Sequence, residues 1–472
     1  MKNTINILDQ LISQNNIQNL NFISNIFFVR DHINFNTKYQ FIESKNKIFY
    51  FLKILIMFVL KRINSIRYNF QKKIIIGKLS NFDYVFITHI MKNEKHNLKQ
   101  DYIYGKLFDE ILKKNQKICL IFFNQTKFHI KHLKSNFKEN KNITYILFNN
   151  KANFFTDILN FELLIKLLIE LLKNKKNISK KIFLFLIYSI FEEETLSNIR
   201  IFKFFSNLKY FKFNKVILTY EGHSYERNII KALKENNSCE VYAYQHSGIY
   251  EGSHGIFQNK YPNNILPDKF LLSGKVGYNL FKKKFKSYNA NNFIIIGSPR
   301  YQKVKVKKYD NLNNKSKNIL LLPDGTSYET SHYIDLANKL AHRYKEFTFF
   351  LKFHPSQYLF INKNPKLNNL IYLKQDIQTT LKNNNFKFAI YSSTTSILNV
   401  ISNGIIPIYF LGTKNLQSNP IYMFYEKRFS VNQIEDFKSI LNFKDKKKFV
   451  NKIIKKTTNY YEKINVKNFL DL

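Results

Sequence analysis

The 472-residue sequence contains no tryptophan and few residues of three other kinds: 12 glycines, 8 prolines and 2 cysteines. Cys119 and Cys239 lie far apart in the chain, which excludes a disulfide framework and a zinc knuckle. So few cysteines are typical of a reducing compartment. The first segment, Met1–Asn19, is polar and lacks the apolar core of a signal peptide. We therefore expect a cytoplasmic protein.

Acidic residues are also scarce, with 33 Asp and Glu against 75 Lys and Arg, so that the formal net charge is +42. Such a charge favours nucleic acid or an anionic membrane surface as a partner. The lysines are spread along the chain together with Asn, Ile, Phe and Tyr, as in A/T-rich coding sequence, and compact nucleic-acid motifs are missing. We expect no nucleic-acid partner.

One apolar run, Ile48–Leu60, is interrupted by Lys53 and is too short for the roughly 20 residues that span a bilayer. It is followed by a basic flank that comprises Lys61, Arg62, Arg67, Lys72 and Lys73. The pattern permits two interpretations. One is a helix in the interface of the anionic inner face of the cytoplasmic membrane, and the other is a buried core helix.

Apolar residues make up 44% of the sequence. Strand-like runs, such as KICLIFF at 117–123, ITYILF at 143–148 and NILLL at 318–322, alternate with helical patterns, which include a stretch between 153 and 208 with periodic leucine and isoleucine. This alternation predicts an α/β fold with two facing Rossmann-like domains and an N-terminal helical extension. The predicted parts are an extension over 1–79, an acceptor-side domain over 80–290, a nucleotide-sugar domain over 291–443 and a C-terminal helical tail over 444–472. Ligands of such sheets bind beyond the carboxyl ends of the strands.

Polar residues follow the predicted strand that ends near Tyr220. Glu221 would lie at the strand end, where a carboxylate can accept the proton of an attacking hydroxyl. Gly222 would permit a tight turn and close approach of a substrate. The alternative is that Glu221 caps the next helix or pairs with Arg227. Glu226, in the first turn of that helix, is a second candidate carboxylate or a partner of the helix dipole.

A second polar loop begins with Gln245, His246, Ser247 and Gly248 and continues to Glu251. Its imidazoles, carboxylate and glycines fit a loop that binds a sugar or stabilises an oxyanion. A metal site is the weaker alternative, because the strict ligand spacing of a metal motif is missing.

Three strand ends of the second domain carry groups that suit a phosphate. They contribute Asp324, Gly325 and Thr326; then Lys352, His354 and Pro355; and then the hydroxyl run Ser392–Ser396, in which Ser392, Ser393 and Thr394 come first. The first of these turns lacks the P-loop pattern, which argues against a nucleoside triphosphatase. Three such strand ends together predict a site for a nucleotide phosphate.

The order of Glu221-Gly222, His354-Pro355 and Ser392-Ser393 resembles the acidic-Gly, His-Pro and serine-pair motifs of bacterial CMP-sugar-dependent sialyl-, polysialyl- and Kdo transferases. The resemblance covers about 83–412. It implies a GT-B fold, a metal-independent reaction without a cofactor, Glu221 as general base, and His354, Ser392 and Ser393 on the donor phosphate. Because Tyr220 replaces the first acid of the usual pair, inversion and retention both stay open. A retaining route would need Glu226 or Glu251 as nucleophile.

The sequence thus predicts an enzyme of bacterial surface-polysaccharide synthesis, such as capsule or O-antigen. Its partners would be a nucleotide-sugar donor, a glycan or lipid-linked acceptor, and the inner membrane surface. The Gln245–Gly248 loop and the segment after Ser392 are also similar to CDP-glycerol glycerophosphotransferases, so a polyol-phosphate transferase is one alternative. A non-catalytic polysaccharide assembly factor is another, although it would not need these three motifs together.

Overall fold

A computed structural model describes residues 22, 47–66, 73–78, 81–90, 95–99, 101–124, 130–149, 154–177, 180–210, 213–236, 239–249, 256–257, 263–301, 316–354, 357–358, 367–411, 419–424, 429–441 and 446–472. The chain forms two compact units. Unit 1 comprises Met1–His246, Ser253–Tyr301 and Glu462–Leu472, and unit 2 comprises Ser247–Gly252 and Gln302–Tyr461.

Unit 1 contains an eight-stranded sheet in the order β1-β4-β3-β2-β5-β6-β7-β8. All neighbouring strands are parallel except β1 and β4. Continuous apolar runs form its central strands, because a parallel sheet is covered on both faces. The strands are β1 Lys73–Ile76, β2 Phe82–Ile90, β3 Ile118–Asn124, β4 Ile143–Phe148, β5 Phe213–Thr219, β6 Glu240–Gln245, β7 Lys269–Leu272 and β8 Phe293–Ile295.

Nine helices lie between residues 47 and 284 in the described part of the chain, and all belong to unit 1. They are α1 Lys47–Ile66, α2 Leu107–Lys113, α3 Ile130–Leu133, α4 Phe154–Leu159, α5 Phe161–Lys173, α6 Lys180–Ile190, α7 Glu193–Ser206, α8 Ser224–Asn236 and α9 Lys275–Lys284. The leucine periodicity between 153 and 208 is thus realised as the four helices α4 to α7.

Four buried or half-buried charges join α1, α4 and α7. Arg62 of α1 donates from Nε to Asp157 of α4 at 3.2 Å and from Nη2 to Glu193 of α7 at 2.8 Å. Arg200 of α7 donates from Nη1 to Asp157 at 2.6 Å and also pairs with Glu193. This two-by-two network fixes α1 to the body of unit 1.

Unit 2 contains a six-stranded parallel sheet in the order β11-β10-β9-β12-β13-β14. The strands are β9 Asn318–Leu322, β10 Thr348–Lys352, β11 Leu370–Leu373, β12 Phe388–Tyr391, β13 Ile406–Phe410 and β14 Ser430–Val431. The helices are α10 Ser327–Arg343, α11 Ile377–Asn383, α12 Ile397–Ser402, α13 Asp436–Leu441 and α14 Lys446–Thr457.

The last segment of the chain returns to unit 1 as α15 Val466–Leu470. Phe469 is fully buried there, with its ring centroid 5.3 Å from that of Tyr84 and 5.8 Å from that of Phe86. Helix α14 thus belongs to unit 2, and an apolar side chain of α15 completes the core of unit 1.

The predicted fold class, an α/β protein with two Rossmann-like parallel sheets, is confirmed. The boundaries predicted at 79, 290 and 443 stay predictions. Among the described residues, no helix is long and apolar enough to cross a membrane.

Candidate functional site

Three neighbouring strands of unit 1 end at one edge of the sheet with polar side chains. His89 lies near the end of β2, Glu221 follows β5, and His246 directly follows β6. The chain fills the sheet outward from β2 through β3 to β4, and then outward from β5 in the other direction. The strand order therefore reverses between β2 and β5, which is where ligands bind in open α/β sheets.

Glu221 lies at this edge with 27% of its side chain exposed. Its Oε2 is 3.4 Å from Nε2 of His223, and its Oε1 is 3.6 Å from Nε2 of His246. Burial lowers the pKa of His246 to about 4, so this imidazole is neutral at pH 7. Glu221 is thus an accessible carboxylate between two imidazoles.

Glu226 holds the turn that carries Glu221. Its fully buried carboxylate accepts the backbone N–H groups of Glu221 at 2.9 Å, Gly222 at 2.8 Å and His223 at 2.8 Å. Burial raises its pKa to about 7. Gly222 has a φ of +84°, a conformation that favours glycine. The Glu226 carboxylate thus satisfies the amide groups at the start of α8.

Two side chains near Glu221, those of His89 and Tyr225, were not predicted from the sequence. Nε2 of His89 lies 3.1 Å from the hydroxyl of Tyr225, and the Tyr225 ring stacks on His223 with centroids 5.2 Å apart. Burial lowers the pKa of His89 to about 4. A single histidine in the apolar strand FDYVFITHI gives no motif, and only the pairing of β2 with β5 brings it to Glu221.

The predicted loop from Gln245 to Glu251 is divided between the units. The buried Gln245 accepts the hydroxyl of Ser273 at 3.0 Å within unit 1. Ser247 is buried and Gly248 packs directly against Thr395, both within unit 2. Glu251 lies outside the described residues.

Unit 2 repeats the arrangement of strand ends. Its strand order reverses between β9 and β12, and Asp324 follows β9 while Ser392 follows β12. His354 comes after β10, the other neighbour of β9. Pro355 lies outside the described residues. The residues predicted for the nucleotide therefore start from three adjacent strands at one edge of the sheet.

The turn after β9 is built by Asp324 and Thr326. The Asp324 carboxylate accepts the N–H of Thr326 at 2.6 Å and its hydroxyl at 2.7 Å. Thr326 in turn caps α10 by accepting the N–H of Glu329 at 3.3 Å. A Cβ on Gly325 would lie 2.9 Å from Nδ1 of His354, so the imidazole lies directly over this glycine.

Lys352 and Ser392 are largely enclosed by the protein. The Lys352 ammonium donates to the carbonyl of Phe353 at 3.3 Å, and burial lowers its pKa. Ser392 donates to the carbonyl of Phe410 at 3.2 Å, so the Tyr333 hydroxyl, 2.9 Å away, is the donor to Ser392. Ser393 and Thr394 are half-buried and lie nearer the solvent.

Glu329 is a buried carboxyl group beside Asp324. Burial and the Asp324 charge raise its pKa to about 9, so Glu329 is protonated at pH 7. The pKa of Glu329 in the folded protein is higher than the value of 4.5 in the unfolded chain. The protonated carboxyl group therefore makes its full contribution to stability below pH 4.5, and this stability is lost as the pH rises toward 9. The carboxyl group therefore weakens unit 2 at neutral pH.

Replacing Glu329 with Gln should consequently stabilise the protein. The amide mimics the protonated acid and has no proton to lose, so we expect a gain of about 2–3 kcal/mol at pH 7 that shrinks below pH 5. Urea unfolding at several pH values measures it, with the exposed Glu346→Gln as control. A loss of stability that is equal at pH 5 and pH 8 would show that Glu329 is ionised in the folded protein.

No cluster of three or more His, Cys, Asp or Glu side chains suited to a metal ion exists in the part of the chain that the structure describes. The side chains of His89, Glu221, His223 and His246, all of which the structure describes, do not form such a cluster.

No protein-family model and no curated protein matches the sequence. Among solved structures, the chain is similar to a UDP-GlcNAc 2-epimerase from Neisseria meningitidis bound to UDP-GlcNAc, with a TM-score of 0.45 and 11% identity over 82% of this chain and 96% of that one. It is also similar to a UDP-forming trehalose-phosphate synthase from Burkholderia vietnamiensis, with a TM-score of 0.45 and 7% identity over 84% and 96%. Because both TM-scores lie below 0.5, the functional assignment rests on the residues of the two units.

Proposed function

We propose that the protein is a glycosyltransferase of GT-B type that moves a sugar from a nucleotide-activated donor to an acceptor hydroxyl. The observation that carries the proposal is the position of the three motifs. Glu221 in unit 1 and Ser392 in unit 2 follow strands that flank a reversal of strand order, and His354 follows β10, the strand next to β9. The order of these motifs in the sequence supports a CMP-sugar of the Kdo or sialic acid kind as donor.

Glu221 is the general base of the proposed reaction. Its side chain is 27% exposed, whereas Glu226 is fully buried and accepts three backbone N–H groups. The base accepts the proton of the acceptor hydroxyl as the hydroxyl oxygen attacks the anomeric carbon, and the bond from that carbon to the donor phosphate oxygen breaks so that the nucleotide leaves. Glu226 acts as a positioning residue, because it fixes the backbone that carries the base.

The donor phosphate binds in unit 2 at His354 and the adjoining hydroxyl groups. The His354 side chain is exposed above Gly325, and Ser393 and Thr394 are half-buried beside the enclosed Ser392. Hydrogen bonds from imidazole and hydroxyl groups to a phosphate are charge-assisted, because the acceptor is an anion. The Tyr333 hydroxyl donates a hydrogen bond to Ser392 at 2.9 Å and thereby fixes the Ser392 side chain.

Replacing His354 with Ala should weaken nucleotide binding about tenfold, because one charge-assisted hydrogen bond is worth roughly 1.5–3 kcal/mol. The side chain is exposed, so the thermal transition of the ligand-free protein should not change. Isothermal calorimetry with CMP measures the affinity, and the exposed His342→Ala is the matched control. An affinity equal to that of the control would remove His354 from the phosphate site.

The proposed acceptor is a bacterial surface polysaccharide or its lipid-linked precursor, and the proposed location is the cytoplasm at the inner face of the membrane. The transfer is proposed to need no metal, so added EDTA should leave its rate unchanged. The basic and apolar segment at α1 supports the membrane location.

A further inference from the structure

Large exposed apolar side chains concentrate in one region of unit 1. Of the sixteen exposed large apolar residues in the described part of the chain, thirteen belong to α1, α4 and α5. These helices are in contact, since α1 packs against α4 and α4 adjoins α5. Soluble proteins rarely expose large continuous apolar patches without a partner. We call this patch, formed by α1, α4 and α5, the helical surface.

The apolar residues of α1 form one exposed stripe. Leu52, Ile56, Val59, Leu60 and Ile63 recur at the spacing of one helix face and are 46–56% exposed. The opposite side of α1 carries Arg62, which is 6% exposed and paired with Asp157 and Glu193. The helix thus buries a charge and exposes leucine, isoleucine and valine, the reverse of a helix whose apolar face packs on its own core.

Helix α5 presents a second stripe with the same periodicity. Phe161, Ile165, Ile169 and Leu172 are 44–52% exposed, whereas Leu164, Leu167 and Leu171 on the other face are buried against unit 1. Helix α4 between them exposes Phe155, Ile158 and Leu159. One face of α5 is therefore buried within unit 1, and its outer apolar face is left exposed.

Lysines border this apolar surface. Lys53 is exposed within α1, and Lys173, Lys175, Lys176 and Lys180 are exposed at and after the end of α5. Each lysine close to an anionic membrane contributes attraction, and apolar side chains enter the boundary of head groups and acyl chains. The combination of half-exposed apolar stripes with a basic border complements an anionic lipid surface.

We propose that the helical surface docks the protein onto an anionic membrane, with α5 contributing as much as α1. The Arg62–Asp157 and Arg200–Glu193 pairs hold α1 and α4 against α7. The proposal deepens the proposed function by naming the surface that meets lipid-linked acceptors. Lipid binding and nucleotide binding are separate measurements, so either can fail without the other.

The experiment is co-sedimentation of the full chain with vesicles of phosphatidylcholine alone or mixed equally with phosphatidylglycerol. The parent protein should bind the mixed vesicles more tightly. Two variants carry matched triple substitutions at one helical spacing: Ile56→Gln, Leu60→Gln and Ile63→Gln in α1, and Ile165→Gln, Ile169→Gln and Leu172→Gln in α5. Each triple should lower the partition coefficient at least tenfold, since three half-exposed apolar groups are lost.

Two controls separate docking from folding. The α5 triple should keep the thermal transition of the parent, whereas Leu167→Gln on the buried face should lower it. Changing Lys173, Lys175 and Lys176 to Gln should weaken binding to the mixed vesicles at least tenfold and leave the weaker binding to phosphatidylcholine almost unchanged.

Three outcomes would overturn the proposal. One is binding that survives the α5 triple unchanged. Another is a parent that binds vesicles only after residues 1–46 are removed, which would mean that this segment covers the surface. The third is a parent that binds no vesicles but forms, by light scattering without lipid, a dimer that the α5 triple abolishes.

Discussion

A Glu221→Gln enzyme should bind the donor like the parent and transfer sugar about 10² to 10⁴ times more slowly. Loss of a general base typically costs a rate factor of this size. The amide keeps the shape of the side chain between His223 and His246 but cannot accept the proton of the acceptor hydroxyl. Calorimetry gives donor affinity, and product formation under saturating donor gives the turnover number.

The matched comparison is Glu226→Gln in the same turn. Its amide oxygen still accepts part of the backbone N–H groups, so turnover should fall far less than in Glu221→Gln. The opposite ranking, with Glu221→Gln fully active and Glu226→Gln or Glu251→Gln inactive, would move the catalytic carboxylate. A retaining reaction with a covalent intermediate would then be the better account.

An Asp157→Ala protein should lose about 3–5 kcal/mol of unfolding free energy. Asp157 is 5% exposed and accepts from both Arg62 and Arg200. Removing one member of a buried ion pair leaves the others desolvated without compensation. Glu193 alone would then face two guanidinium groups. Urea unfolding at pH 7 measures the loss.

The control for this prediction is an exposed ion pair. Asp335 lies 2.6 Å from Lys339, and both side chains are more than half exposed. Asp335→Ala should therefore cost less than about 1 kcal/mol. If Asp157→Ala cost no more than Asp335→Ala, the Arg62 network would not be what holds α1 to unit 1.

Most strands could be predicted from the sequence because parallel strands are continuous apolar runs. The runs KICLIFF, ITYILF and NILLL became β3, β4 and β9 almost at the predicted residues. The short edge strands β1, β8 and β14 were missed, although β11, an edge strand of four residues, was predicted. The return of α15 to unit 1 rests on Phe469, whose partners Tyr84 and Phe86 are remote in sequence.

The sequence predicts candidate site residues when they follow a strand within one short motif. Glu221, Asp324 and Ser392 are of this kind. Contacts across strands could not be predicted in this way. His89 and Tyr225 contact each other because the sheet and a helix bring them together, and Glu329 lies beside Asp324 for the same reason. The sequence also left α1 between an interfacial and a core helix. The exposure of its apolar stripe and the burial of Arg62 support the proposal of an interfacial helix.

The central claim, that unit 2 binds a nucleotide donor, is tested most directly by thermal shift of the full chain with CMP, CDP, UDP and GDP in parallel. A ligand at a hundred times its Kd adds about 2.7 kcal/mol of stability. We expect CMP to raise the thermal transition temperature of the parent and of His342→Ala, and to raise that of His354→Ala much less. No shift with any of the four nucleotides, or an equal shift in parent and His354→Ala, would contradict it.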